Sequence, residues 1–449
     1  MLEKRSSLPM LFFPIFIETL LLMLSGIVDT LMLSTVPNGA GAVGTANTYI
    51  YMFFMFLTVI SGGMMAVMTQ NIGAKKPGIA YQARQLAILC NGIIGILISI
   101  ILIFFSEPIL IALNTAPTLL GLASTYMRIV AIASFFDALI VIFSAYLRAF
   151  KHVRQPFVAT IIGNVVNIAL NSLSLFVFQW GVAGVAVSTV IGKLITLILV
   201  IYFNYHSIKS KDYKERIKRR TILKQVIKIG VPAAIEGISY SIAMSIVMGF
   251  INQMDPGGFN VTIKAYVSQI TSFSFCAALA LGQANSYFVG WRIGANEYDE
   301  CYHGTNKVAL IGILIGIGVE LLFALLGRVV LGAFNTDTLL INGIVWCLFI
   351  DIGLEIGRAS NLVYNTALKT SGYALIPSIF SAVINMAVAV TGTYIFGILL
   401  GWGVYGAMFA LALDECARAI FLFLVWRSRK WQNAKVVVNE SQEMIKESV

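Results

Sequence analysis

Apolar runs long enough to cross a bilayer recur from one end of the chain to the other, separated by short polar stretches. About 20 consecutive apolar residues span the hydrocarbon core as a helix. The pattern predicts twelve helical spans, at roughly 8–33, 46–72, 84–106, 122–149, 156–178, 182–204, 226–253, 262–289, 306–331, 340–368, 375–399 and 402–426. Several exceed the minimum length, which implies tilt or extension beyond the membrane. The runs are continuous rather than alternating, so an outer-membrane barrel does not fit. The expected fold class is an all-α polytopic membrane protein.

The 351–377 stretch breaks the apolar rule most clearly. It carries Asp351, Glu355 and Arg358 inside a span. At about 100° per residue, offsets of four and seven place all three on one helical face. An ionisable side chain in hydrocarbon costs at least about 2.5 kcal/mol, so this face turns to the protein interior or to a water-filled cavity.

Charge then orders the loops. The chain is 58% hydrophobic and 12% charged, with a net charge of +10. A soluble domain carries about 25% charged residues. Lys4, Arg5, Lys75, Lys76, Arg84, Arg148, Lys151, Arg154, the run from Lys209 to Arg220, Arg292, Lys369, Arg427, Arg429 and Lys430 all fall on one side of a twelve-span topology. The opposite loops hold only Lys264 and Arg328. The positive-inside rule makes the basic side cytoplasmic and places both termini there. The positive charge therefore reads as topology, and no nucleic-acid partner is expected; the lipid bilayer is.

The two halves of the chain repeat one another. Pro14 to Glu18 matches Pro232 to Glu236, and Gly73-Ala74 matches Gly294-Ala295. Leu147-Arg148 with Pro156 matches Leu368-Lys369 with Pro377, and Trp180-Gly181 matches Trp402-Gly403. The offsets stay between 218 and 222. Six spans per half is an even number, so the halves share one orientation, the parallel-repeat plan of many transporters. The division is an N-terminal six-helix lobe (1–204), a basic cytoplasmic linker (205–224), a C-terminal six-helix lobe (225–431) and a polar tail (432–449) expected to be mobile.

In that order and spacing the chain resembles the multidrug and toxic compound extrusion (MATE) family. The carriers of the resemblance are Pro14 with Asp29-Thr30, Gln70 to Ala74, Leu147-Arg148 with Pro156 and Asn164, Gly230-Val231-Pro232 with Glu236, Gly294-Ala295, Glu355 to Arg358 with Asn361, and Asp414-Glu415 with Arg418. It implies two pseudo-symmetric six-helix bundles in a V, and export of amphipathic, often cationic compounds in exchange for inward Na⁺ or H⁺. It places coupling on acids that match Asp29, Glu236 and Asp351 or Glu355. The chain departs from some proton-coupled members at the fifth and sixth helices. Asn164, Asn167, Asn171, Ser188 and Thr189 stand there, and Lys193 is the single charge. Coupling is therefore expected in the second lobe.

Carboxylates suit coupling because they hold a cation when ionised and take a proton when burial or a neighbouring acid raises their pKa. Asp351 and Glu355 lie one turn apart and can share an ion. Na⁺ needs further oxygens, for which Asn361, Asn385 and Glu236 are candidates. Alternatively, Glu355 and Arg358 form a buried salt bridge that locks helices. Glu18, the repeat mate of Glu236, faces the same interior as Asp29. Asp137 and Lys193 are placed to neutralise each other. Asp414 and Arg418, four apart, read as an intrahelical ion pair with Glu415 beside it. For the substrate cavity the candidates are Tyr51, Phe54, Met64 and Met68 on the second helix, since Met re-packs and aromatic faces attract organic cations. Packing is the alternative role for each.

Other chemistries lack their signatures. Gly192-Lys193 has neither the upstream glycine nor the Ser/Thr of a P-loop. The five cysteines show neither a disulfide framework nor metal-ligand spacing, and the three histidines lie near loops. No enzyme activity and no cofactor beyond the coupling ion are expected, and a monomer in a bacterial inner membrane is. The main alternative function is a flippase for lipid-linked oligosaccharide in the same broader superfamily, which would call for a cationic cavity; the intramembrane charges here are mostly acidic.

Overall fold

The computed structural model describes residues 8–113, 115–208, 217–255, 257–332 and 337–437. Twelve long helices follow in order: α1 (Leu8–Leu33), α2 (Gly39–Gly73), α3 (Pro77–Ala112), α4 (Pro117–Ala149), α5 (Arg154–Ser172), α6 (Gly181–Ser207), α7 (Arg219–Met254), α8 (Phe259–Gly294), α9 (Tyr298–Gly332), α10 (Thr338–Ser371), α11 (Leu375–Ile384) and α12 (Gly403–Arg427). Among the described residues there is no strand. In hydrocarbon every backbone group must be satisfied within its own segment, and helices do this. Ten of the segments are long and apolar enough to span a membrane, with α2 an eleventh if its bent halves count as one. α12 carries Asp414, Glu415 and Arg418 in its middle, yet these are buried against protein. The fold is a polytopic helical membrane protein, as the hydropathy pattern predicts.

Local signals set the helix ends. Pro77 and Pro117 open α3 and α4, where a missing N–H costs nothing. Asp337 caps α10, accepting from the N–H groups of Leu339 (2.9 Å) and Leu340 (3.3 Å). Asp255 does the same before α8, accepting from Gly257 (2.9 Å) and Phe259 (2.7 Å).

The chain forms two compact units, one running to Gly230 and the other from Val231 to Val436. In the first, α4 packs against α2, α3 and α6; in the second, α10 packs against α8, α9 and α12. Small residues permit these approaches. A Cβ on Gly163 of α5 would lie 2.8 Å from the Gly192 carbonyl of α6, and a Cβ on Gly357 of α10 would lie 2.5 Å from the Glu415 backbone of α12.

The repeat read from sequence extends to the backbone itself. The left-handed residues Asn38, Lys75, Lys151, Gln179 and Gly181 have counterparts at Gly258, Asn296, Gly372, Gly401 and Gly403, 220 to 222 positions later. The widened π-turn ending the fifth helix (Leu173–Val177) recurs after α11, at Asn385–Val390 and Thr393–Leu399. These shared irregularities follow a duplicated unit more closely than side-chain identity does.

Two segments differ from the sequence expectation. The basic linker expected at 205–224 is entered by helix from both sides, α6 running to Ser207 and α7 starting at Arg219. Its run 209–216 lies outside the described residues. Just after it, Ile217 exchanges backbone hydrogen bonds with the Gln82 amide of α3 (2.6 and 3.0 Å). The end of the C-terminal lobe runs into the first residues of the polar tail as one docked turn. Lys430–Ala434 forms a 3₁₀ turn, and Trp431, wholly buried, stacks on Trp426 with ring centroids 4.2 Å apart. Its indole N–H donates to the Trp426 carbonyl (2.9 Å), and Arg429 pairs with Asp299 (2.6 Å). A buried Trp held at both its ring and its N–H outweighs the polar composition around it. Residues 438–449 of that tail lie outside the described residues.

Candidate site: a buried carboxylate cluster

Asp351 and Glu355 stand on the face of α10 that the sequence assigned to them, and both are almost fully buried. A third carboxylate meets them, Glu320 of α9, which is fully buried. Each of the three offers an oxygen within 4.8 Å of the others. Glu320 accepts from the Ser274 hydroxyl of α8 at 2.7 Å. Glu355 accepts from Arg358, one turn along α10. Arg358 also lies over the Phe275 ring of α8 (5.8 Å) and within electrostatic reach of Asp351. Lys264, read from sequence as a loop residue, lies inside α8, half-buried and within electrostatic reach of Asp351. The walls of this cluster are therefore α8, α9 and α10.

These three acids gather their unpaired oxygens in one place, whereas Glu236 Oε2, also without a hydrogen-bond donor, stands beside Lys369. Glu320 Oε2, Asp351 Oδ2 and Glu355 Oε2 are buried without a hydrogen-bond donor. A buried polar group left unpaired costs about 1–3 kcal/mol, more when charged. Three such oxygens in one cluster fit a site for a cation or proton.

α12 forms a second charged group with a different character. Arg418 binds Asp414 through both Nε (3.1 Å) and a terminal nitrogen (2.5 Å), and reaches Glu415 at 2.8 Å. Asn385 donates to Asp414 (3.0 Å) and Asn361 to Glu415 (2.8 Å). Both asparagines donate through Nδ2, and their side-chain oxygens, the atoms a cation would take, are buried without a hydrogen-bond partner. Neither Asp414 nor Glu415 keeps a buried oxygen without a donor.

Glu236 is not brought to Asp351 and Glu355. It receives a hydrogen bond from Asn365 (2.6 Å) and an ion pair from Lys369 (2.9 Å). Asn365 is ten residues beyond Glu355 on α10, about 15 Å along the helix. The same arrangement occurs in the first unit, where Arg148 binds Glu18 at 2.5 Å and Thr160 donates to it at 3.2 Å. The sequence matches Glu18 with Glu236 and Arg148 with Lys369 separately; the structure joins them into one duplicated ion pair.

The remaining candidates of the first unit form smaller groups. Asp29 accepts from Asn171 (2.7 Å), which in turn reaches Asn167 (3.4 Å), and Asn167 reaches Thr189 (3.4 Å). Asn164 has a buried amide nitrogen without an acceptor. Lys193 and Asp137 pair at 2.7 Å, as their mutual neutralisation requires. Of the proposed cavity residues, Tyr51 is exposed and Phe54 half-buried, while Met64 and Met68 are fully buried in packed protein.

Comparison with known proteins agrees with this architecture. The MatE family model matches residues 14–173 and 232–395, one stretch in each half. The chain belongs to the MatE family. This MatE chain is 31% identical over 437 residues to the uncharacterized transporter YisQ of Bacillus subtilis, covering 96% of this chain and 95% of that one. It is 24% identical over 455 residues to the probable multidrug resistance protein NorM of Thermotoga maritima, covering 98% and 95%. Among solved structures, a MATE protein in a straight conformation superposes with a TM-score of 0.85 at 18% identity, covering 94% and 95%. The MATE transporter ClbM in complex with Rb⁺ superposes at 0.82 and 18% identity, covering 95% and 96%. The chain is accordingly a multi-pass integral membrane transporter of that family.

Sequence reasoning missed Glu320. Its span, 306–331, contains no other acid at three or four residues' distance to form a visible stripe. A lone carboxylate in an apolar run is nevertheless expensive, and that signal alone marks it.

Proposed function

We propose that this MatE transporter is a secondary active antiporter that exports amphipathic, often cationic compounds in exchange for inward Na⁺ or H⁺, with coupling centred on Asp351 and Glu355. The observation that carries the reading is the set of buried, donor-less carboxylate oxygens between α8, α9 and α10. An inward cation gradient loads this cluster, removes charge repulsion among the acids and shifts the packing of α10 against its neighbours. A loaded and an unloaded state with different preferred access is what coupling requires, since an ion moves an equilibrium only by its differential affinity for the two states. Drug is taken up from the cytoplasmic side and released outside. The neighbour ClbM was solved with Rb⁺, which supports a monovalent cation as partner of this fold.

In this reading Asp29, with its chain of Asn171, Asn167 and Thr189, is a polar site of the first lobe available to cationic substrate, and Tyr51 and Phe54 supply aromatic surface. Glu18 and Glu236 hold the two lobes' helices through their basic partners. The protein acts as a monomer in a bacterial plasma membrane, with both termini in the cytoplasm.

The test is ethidium transport in inside-out vesicles under separately imposed Na⁺ and pH gradients. Uptake driven by at least one gradient, and abolished in Asp351→Asn and Glu355→Gln, is expected. Transport that ignores both gradients, or survives both substitutions unchanged, refutes the coupling assignment.

A further inference from the structure

We propose that Lys193 of α6 widens the substrate range of the first lobe by receiving a carboxylate, so that zwitterionic amphiphiles are admitted beside cations; this deepens the export reading and rests on it. Three observations carry the inference.

The first is a reversal of charge between the repeats. Asp137 matches Arg358 at the offset of 221 that joins Arg148 to Lys369, and Lys193 matches Glu415 at the offset of 222 that joins Trp180 to Trp402. Arg358 and Glu415 act on each other in the second lobe, as Lys193 and Asp137 do in the first at 2.7 Å. The same pair is built twice with its signs exchanged. In the second lobe each member has further charged company, Glu355 for Arg358 and Arg418 for Glu415. The first-lobe mates of Glu355 and Arg418 are the uncharged Ser134 and Thr196, at the same two offsets.

The second is openness. The side chains of Lys193 and Asp137 are 34% and 16% exposed, against 6% and 1% for Arg418 and Asp414. An ammonium has three N–H donors. Among the hydrogen bonds of the described residues, Lys193 Nζ gives one, to Asp137 Oδ1. Its open surface does not face lipid. The exposed apolar stripe of α6 is Val187, Ile191, Leu194 and Ile198, and Lys193 lies about 130° around the helix from the centre of that stripe. A pair that only locks helices can be sealed, as Arg418 and Asp414 are; this one keeps donors turned to the lobe's interior, where water or a ligand meets them.

The third is a row of polar side chains. Tyr126 of α4 hydrogen-bonds Thr189 of α6 and stands within electrostatic reach of Asp29 and of Tyr51. Tyr51 of α2 is in turn within reach of Lys193. Thr189 precedes Lys193 by one turn, about 6 Å along α6. One row therefore has an acid at one end, a base at the other and two phenols between. A cationic nitrogen suits Asp29. Without Lys193, a carboxylate on the same molecule would meet Asp137 and be repelled. With it, one ammonium donates to both carboxylates.

The experiment is binding of two dyes, by fluorescence polarisation, to the purified full chain in lipid nanodiscs. Rhodamine B is a zwitterion with a free carboxylate; its ethyl ester is the matching simple cation. Wild type is expected to bind the two within threefold of each other. Lys193→Met should weaken rhodamine B at least tenfold relative to the ester, whose acids remain in place. Lys193→Arg, which keeps the charge, should hold the wild-type ratio. Lys193→Met combined with Asp137→Asn strands no charge; it should shift the ratio in the same direction by less, and is read alone if the single variant is not monodisperse. A ratio left unchanged by these Met variants, as when both dyes weaken equally through a loosened helix pair, overturns the inference, and so does a wild type that binds the ester but not rhodamine B. A wild type that binds neither dye also overturns it; if that wild type fails to export ethidium as well, the export reading beneath it falls too.

Discussion

The duplicated ion pair offers a quantitative test of the packing. In the second unit Lys369 Nζ stands 2.9 Å from Glu236 Oε2, with side chains 22% and 12% exposed. At an effective dielectric of about 20 the attraction of two unit charges at that separation is about 6 kcal/mol, before desolvation is subtracted. Removing one partner of a buried pair costs about 3–5 kcal/mol, because the other charge is left uncompensated. Partial exposure and the Asn365 hydrogen bond reduce this, so Glu236→Gln should cost about 2–3 kcal/mol. For a cooperative unit of this size each kcal/mol is worth roughly 2–4 °C. Glu236→Gln and Lys369→Met should each lower the midpoint of thermal unfolding by about 4–12 °C. The double variant should recover most of that loss, since it buries no lone charge. The assay is fluorescence-detected unfolding of the purified protein in detergent, with Glu18→Gln, Arg148→Met and their combination as the parallel cycle in the first unit. If the double variants lose the sum of the single losses, the two pairs do not couple, and their shared role as helix locks is wrong.

Further tests follow from other close contacts. Gly357→Ala places a Cβ 2.5 Å from the α12 backbone; it should lower the unfolding midpoint by several degrees, whereas Gly318→Ala, with open space around it, should hold or raise it. Trp431→Ala removes a fully buried ring, a change worth about 3–5 kcal/mol in a core; limited trypsin digestion should then cut at Arg429 or Lys430 far faster, and unchanged cleavage would show that the stack does not hold the segment. Arg418→Met strands Asp414 and Glu415 and should cost about 3–5 kcal/mol; combining it with Asp414→Asn and Glu415→Gln should restore much of the loss in the same melting assay. The Asp255 carboxylate, in the turn before α8, is held below its ordinary 3.8 by the backbone N–H groups of Gly257 and Phe259. Folding favours its charged form, so its cap is fully present above about 3.8 and is lost as pH falls through the lowered value; hydrogen exchange at Phe259 should speed up over that range, and more weakly in Asp255→Asn.

Much of this architecture is legible from hydropathy and charge because a bilayer leaves the chain few choices. Spans must be long, apolar and helical, and basic loops must alternate with nearly neutral ones, so the order of helices and their duplication are written at low resolution over hundreds of residues. Asp351, Glu355 and Arg358 are legible for the same reason: three charges on one face of one helix make a local pattern. What the sequence hides is pairing across helices. Glu320 and Asp351 are 31 positions apart, and Glu236 and Asn365 are 129 apart. No periodicity links them, so the sequence offers Glu236 as a further oxygen beside Asp351 and Glu355, and only the structure gives it Asn365 and Lys369 as partners. Likewise only the placement of α12 shows that the Asn361 and Asn385 amide nitrogens donate to Glu415 and Asp414, which leaves their oxygens unpartnered. Lys264 reads as a loop charge because it stands at the very start of the 262–289 apolar run; the structure carries α8 back to Phe259, so Lys264 lies in its second turn.

The paired left-handed turns have a practical consequence. Lys151 and Gln179 occupy backbone conformations that cost an L side chain about 1–2 kcal/mol, and their counterparts 221 and 222 positions on are Gly372 and Gly401. The chain therefore contains its own two-member alignment. Each half is a natural experiment on the other: a residue accepted at a turn in one copy has been tried by evolution in the same backbone setting as its twin. Lys151→Gly and Gln179→Gly are thus stabilising substitutions that the molecule itself recommends, and the same cross-reading at every matched turn gives a route to more robust variants without any outside sequence.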